Sequence, residues 1–151
     1  DRAGAGFAEA FAEALAEEAR VLPRGALPTA VGAAQVQWRG VAIARGALLE
    51  GDGFAVAHEA AGEHAPRLSP GWRNVTVFDA DLARFAARAG TLGAHLKAVG
   101  VAGDREALAA ALPVGLAPRV CAAGAMQTPA LGAYADGLPP WEGWRRFVSV
   151  E

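Results

Sequence analysis

The stretch Leu96–Pro129, LKAVGVAGDREALAAALPVGLAPRVCAAGAMQTP, decides how the chain is expected to fold. Leu96–Ala102 is apolar apart from Lys97 and Gly100, as a strand covered on both faces should be. Asp104 stands where a helix N-cap belongs, with Ala107 rather than glutamate three residues on, so the capping box is incomplete. Leu108 and Leu112 make one apolar stripe, and Pro113 and Gly115 stop the helix. Arg119–Ala122 reads as the next strand. A strand–helix–strand of this length implies a right-handed parallel crossover, so the expected fold class is α/β, helices packed on a largely parallel sheet.

Upstream, Phe7, Phe11 and Leu15 are spaced four apart, with Glu9, Glu13, Glu17 and Glu18 elsewhere on the wheel. That pattern predicts an amphipathic helix over about Gly6–Leu22 with a solvated acidic face, ended by Pro23-Arg24-Gly25. A second helix is expected from Thr29, read as its N-cap, to Arg45-Gly46, with Trp38 as a packing residue. Ala47–Glu50, then Gly51-Asp52-Gly53, then Phe54–His58 is a hairpin pattern. Gly51-x-Gly53 lacks the third glycine and the following helix of a dinucleotide fingerprint, which makes it a turn. A polar loop follows over Ala61–Gly71, then a strand over Arg73–Phe78 with Val75 and Val77 on one face. Asp79 or Asp81 caps a helix through Leu82, Phe85 and Ala89 that is expected to end at Gly90. Thr128–Pro140 is rich in turn residues, and Trp141–Val148 forms a last short element.

The chain has 151 residues, the size of one domain, and shows no repeat or interdomain linker. A net charge of −2 argues against nucleic acid or an anionic membrane as partner. Lys97 is the only lysine among 14 basic residues, which with the alanine and glycine excess suits a GC-rich bacterial coding bias. The single cysteine excludes an internal disulfide and fits a reducing compartment. There is neither a membrane-length apolar run nor a signal-peptide pattern, so the expectation is a cytoplasmic chain without a membrane span. It begins at Asp1, which suggests a fragment or processed piece.

No complete active site is visible in the residues. His58-Glu59 and Glu63-His64 have metal-capable types without the spacing of a helical zinc motif, and they read as surface or turn residues, like His95. Cys121 sits in the second strand of the opening stretch, where a core thiol is the base expectation. Gly100-x-x-Gly103-Asp104 lacks a P-loop lysine and reads as a tight strand-to-helix turn. Trp141, Trp144, Arg145 and Arg146 read as a packed terminal segment.

The opening stretch, and above all Pro118–Pro129 with its Met126-Gln127, resembles the C-terminal part of acyl-CoA reductases of the bioluminescence type, in the aldehyde dehydrogenase superfamily. Arg73–Val77 with Asp81-Leu82, the Phe7–Leu22 helix with Pro23-Arg24-Gly25, Asp136-Gly137-x-Pro139 and Trp144-x-x-Phe147-Val148 extend the likeness over most of the chain. It departs at Ala125, where the family often carries arginine. The resemblance implies one catalytic-domain portion over residues 1–151, working with the remaining part of the same enzyme and possible in a homo-oligomer. It implies an acyl-CoA substrate and NADPH or NADH as hydride donor, with a cysteine nucleophile N-terminal to this chain. No catalytic residue is carried over; Arg73 and Gln127 are the candidates for the substrate or cofactor wall. The alternative is a non-enzymatic small α/β module that binds a partner protein.

Overall fold

The structure, a computed structural model, describes residues 2–59, 67–116, 118–134, 138 and 141. His64, most of the expected Ala61–Gly71 loop, the Asp136–Pro139 motif and the Trp144–Val148 segment lie outside these residues, apart from residues 67–71 and 138. The fold is mixed α/β, and the chain divides into two compact units, Asp1–Ala80 and Asp81–Glu151.

The first unit opens with α1 (Arg2–Val21) and α2 (Thr29–Arg45). Pro23 lacks the N–H that would continue α1. Pro28, not Thr29, occupies the N-cap of α2: its fixed φ of −60° sets the entry, no side chain caps the helix, and Thr29 is already helical. The chain then runs directly into β1 (Gly46–Gly51), turns at Asp52-Gly53 and returns as β2 (Phe54–Glu59), antiparallel with Gly51 opposite Phe54. Gly53 has a φ of +81°, the conformation that selects glycine in a two-residue hairpin. β3 (Asn74–Phe78) pairs in parallel on the other side of β2, Ala55 opposite Asn74.

The central strand β2 is covered on both faces, and its alternation assigns each face to one helix. Phe54 and Val56 pack with Ala8, Phe11, Ala12 and Leu15 of α1. Ala55 and Ala57 pack with Trp38 and Ala42 of α2. Gln35, Trp38 and Ala42 are the buried residues of α2, spaced three and four apart as one helical stripe. Glu9, Glu13, Glu17 and Glu18 of α1 are exposed, a solvated face.

The second unit holds α3 (Leu82–Leu92), a 3₁₀ turn (Gly93–His95), β4 (Ala98–Val101), α4 (Arg105–Ala111) and β5 (Arg119–Ala122). Asp81 caps α3 by accepting from Arg84 N at 2.7 Å, and Asp104 caps α4 by accepting from Glu106 N and Ala107 N, each at 3.0 Å. α3 does not stop at Gly90; it continues through Leu92 to Gly93, whose φ of +51° ends it. β4 and β5 pair in parallel, Val99 opposite Val120, with α4 between them in sequence.

Two expectations about the sheet are corrected. In place of one largely parallel sheet, the described strands form a mixed three-stranded sheet and a separate parallel pair. β4 is also shorter than Leu96–Ala102, and of its four residues only Val99 is buried. Two strands and a seven-residue helix offer little cover, so a run of apolar residues does not ensure burial here. Among the described residues no helix is long and apolar enough to cross a membrane.

Candidate functional site

The two candidate wall residues fall in different units, Arg73 in the first and Gln127 in the second. Arg73 does not begin a strand. Gly71, Trp72 and Arg73 have φ values of +73°, +54° and +60°, a left-handed run in which two members carry side chains. Such conformations cost about 1–3 kcal/mol each and persist only when the surroundings over-determine them. Here Ser69 and Asn74 do so. The Ser69 hydroxyl donates to Asn74 O and accepts from Gly71 N, and the buried Asn74 amide donates to Gly71 O at 2.7 Å and Trp72 O at 3.2 Å. The run aims the Arg73 guanidinium at the end of α1, where Nη2 donates to Leu22 O at 2.5 Å. Arginine at a helix C-terminus satisfies an orphan carbonyl and suits the negative end of the dipole.

Gln127 lies exposed in the turn after β5. That turn is built around Arg119, which the sequence presents merely as the polar first residue of a strand. Its guanidinium reaches forward, Nη1 donating to Ala125 O at 3.2 Å and Nη2 to Met126 O. Ala125 N donates to Ala122 O and Thr128 N to Ala125 O, which closes the turn on itself. Met126 then folds back over β4: a Cβ at Gly100 would lie 3.1 Å from both its Cγ and its Sδ. Gly100 therefore belongs to the strand and makes room for Met126, instead of shaping the strand-to-helix turn. A groove of about 540 Å³ runs beside this turn, walled by Lys97, Arg119, Met126, Leu131 and Tyr134.

Replacing Arg119 by alanine removes both guanidinium bonds while leaving the β4–β5 ladder intact. Losing about 1.5 kcal/mol of local stabilisation corresponds to roughly tenfold faster amide exchange at Ala125 and Thr128. Exchange measured by mass spectrometry checks this, and unchanged protection would show that Arg119 does not hold the turn.

The remaining candidates separate. His58 is not in a loop: it is a half-buried residue of β2, with Nε2 3.6 Å from Asp79 Oδ2, beyond hydrogen-bond range. Among the described residues no three His, Cys, Asp or Glu converge as metal ligands. Cys121 is half-buried instead of a core thiol, its Sγ donating to Val99 O on the neighbouring strand at 3.7 Å. The N–H groups at the start of α4 are taken by the Asp104 carboxylate, so this turn does not fit the phosphates of a nicotinamide nucleotide.

Compared with models of known families, with curated proteins and with solved structures, the chain finds no match.

Proposed function

We propose that this chain is part of an NAD(P)H-dependent acyl-CoA reductase, converting an acyl thioester to an aldehyde through an acyl-cysteine whose nucleophile lies outside the chain. What carries the reading is the unit β4–α4–β5 closing on Met126-Gln127. The stretch with the strongest likeness to such reductases has a turn fastened by Arg119 and seated on Gly100, beside a groove. On this reading both units belong to an aldehyde-dehydrogenase-like catalytic domain, with a right-handed crossover at α4, in a cytoplasmic enzyme able to form a homo-oligomer.

Two further observations support it. Val36 and Ile43, seven apart on α2, are 70% and 64% exposed, an apolar stripe that the rest of a larger domain would cover. Cys121 is engaged across the β4–β5 pair, in keeping with a structural thiol and a nucleophile elsewhere.

In the proposed reaction a cysteine thiolate attacks the thioester carbonyl, the carbon–sulfur bond to CoA breaks, and the acyl group is held as a cysteine thioester. A nicotinamide nucleotide would supply the hydride to the acyl carbon; the carbon–sulfur bond to the cysteine then breaks, releasing the aldehyde and returning the thiolate. The likeness implies that this nucleotide is bound mainly outside this chain, in keeping with the Asp104 carboxylate occupying the N–H groups at the start of α4. Gln127, exposed in the turn beside the groove, stays the candidate for the substrate or cofactor wall, and Arg73 fixes the segment leading into β3.

The test is NADPH oxidation coupled to aldehyde formation, using the intact protein and a long-chain acyl-CoA. Turnover is expected, with Gln127→Ala lowering kcat/KM about tenfold at an unchanged melting temperature. A folded, intact protein that forms no aldehyde overturns the assignment.

A further inference from the structure

The first unit contains a second cavity, of about 730 Å³, between the turn that follows α1 and the β1–β2 hairpin end. We propose that it binds a small organic oxyanion, an anionic head group on an apolar body, and that Arg24 recognises the charge. The proposal stands independently of the reductase reading, because Arg24 and the cavity wall have no role in that reading.

The volume is that of a small-molecule pocket. Its charges do not balance in place. Arg24 is half-buried, and its Nε and Nη1 are shielded from solvent without a hydrogen-bond partner among the described residues. A guanidinium with two of its three nitrogens shielded and unpaired gains more than a fully solvated one from an anion brought against its remaining face. Of the acids in the wall, Glu50 is engaged elsewhere, paired with Arg39 at 3.3 Å, while the wall's second cation, Arg20, already has its own partner in Glu17. Asp52, exposed on the hairpin turn, has no ion pair among the described residues, with Arg24 or any other. Arg73 adds a further cation behind the turn. Its Nη2 is held by Leu22 O, two residues before Arg24, and its Nη1 is likewise buried without a partner.

Arg24 is also fixed in place. A Cβ at Gly53 would meet the Arg24 Cβ at 3.5 Å and its Nε at 4.0 Å, so the arginine stem lies across the glycine of the hairpin. Ala16, Ala19, Pro23 and Phe54 supply the apolar wall. A cation set against such a wall selects a ligand with both parts over a bare ion.

Three probes titrated into the intact protein at low ionic strength test this: inorganic phosphate, phenyl phosphate and benzoate, read by calorimetry. Saturable binding of phenyl phosphate is expected, about tenfold tighter than of inorganic phosphate because the ring reaches the apolar wall. Comparing it with benzoate separates a phosphoryl from a carboxylate preference. Arg24→Gln is expected to weaken binding at least tenfold, Arg24→Lys to retain part of it, and Asp52→Asn to tighten it. Melting temperatures of each variant keep a folding defect distinct from lost binding. No saturable binding of any probe, or equal binding by folded Arg24→Gln, overturns the proposal.

Discussion

Replacing Trp38 by alanine is expected to lower the unfolding free energy by about 4 kcal/mol, the middle of the range for removing a buried aromatic ring. The size follows from what surrounds it. Trp38 is 5% exposed, and the buried residues beneath it are Ala42, Ala55 and Ala57. The floor is methyl groups on a helix and a central strand, with partly buried Leu48 packed against it, so the vacated space can close only in part. The cavity therefore persists, and its cost adds to the lost transfer energy. Arg67, whose guanidinium carbon lies 5.6 Å from the ring centroid, loses its aromatic partner as well, worth about 0.5–1 kcal/mol. Total stabilities of about 5–15 kcal/mol make this a large share. Urea unfolding of the intact protein measures it, and Trp38→Phe should recover roughly half. A loss below about 1.5 kcal/mol would mean that α2 is not docked through this ring.

Trp38 also shows what a linear reading could see. Its place on a helical stripe, with Gln35 and Ala42, follows from spacing alone. The Asp52-Gly53 hairpin and the Asp81 and Asp104 caps were legible for a similar reason, since the residue that makes the feature lies within a few positions of the backbone it serves. Pairing between strands is different. Nothing near Leu96 or Arg73 states which strand will be a neighbour, so one largely parallel sheet was the natural expectation where two small sheets stand. Helix ends were missed where two residues compete for one role, Thr29 against Pro28 and Gly90 against Gly93, and backbone geometry decides.

The candidate site was less legible still. Arg73 was singled out, but its left-handed φ has no signature, because the usual glycine or asparagine is replaced by a tryptophan–arginine pair held by Ser69 and Asn74. Arg119 was read as strand, although its guanidinium organises the Met126-Gln127 turn seven residues ahead. Arginine reach makes such roles non-local: the stem is long enough to leave its own element, and the sequence records only where the stem begins.

The same reach produces the second large expected effect, at Glu59. This carboxylate is 7% exposed and holds two arginines. Arg67 donates to Oε1 through Nε at 3.1 Å and Nη2 at 2.5 Å, and Arg45 Nη1 lies 3.8 Å from Oε2. Arg67 Nη1 also donates to Trp38 O at 3.0 Å, so the carboxylate fixes a strut running from β2 to α2. Glu59→Ala leaves two guanidiniums in a part-buried setting without their anion, and breaking such a pair from one side costs about 3 kcal/mol. Glu59→Gln keeps the shape and one acceptor, so about half that loss is expected. The control is Glu17→Ala, which deletes the ion pair with Arg20 on α1, where the two side chains are 64% and 75% exposed. That change should fall within about 0.5 kcal/mol of zero. Arg67→Met should cost less than Glu59→Ala, since it removes one cation and leaves Arg45 beside the carboxylate. In the double variant the two losses should fail to add by about 1 kcal/mol or more, the mark of groups in direct contact. Equal losses for Glu59→Ala and Glu17→Ala in urea unfolding would place the network with surface pairs, and the docking of α2 would then rest on the apolar packing of Trp38 and Ala42.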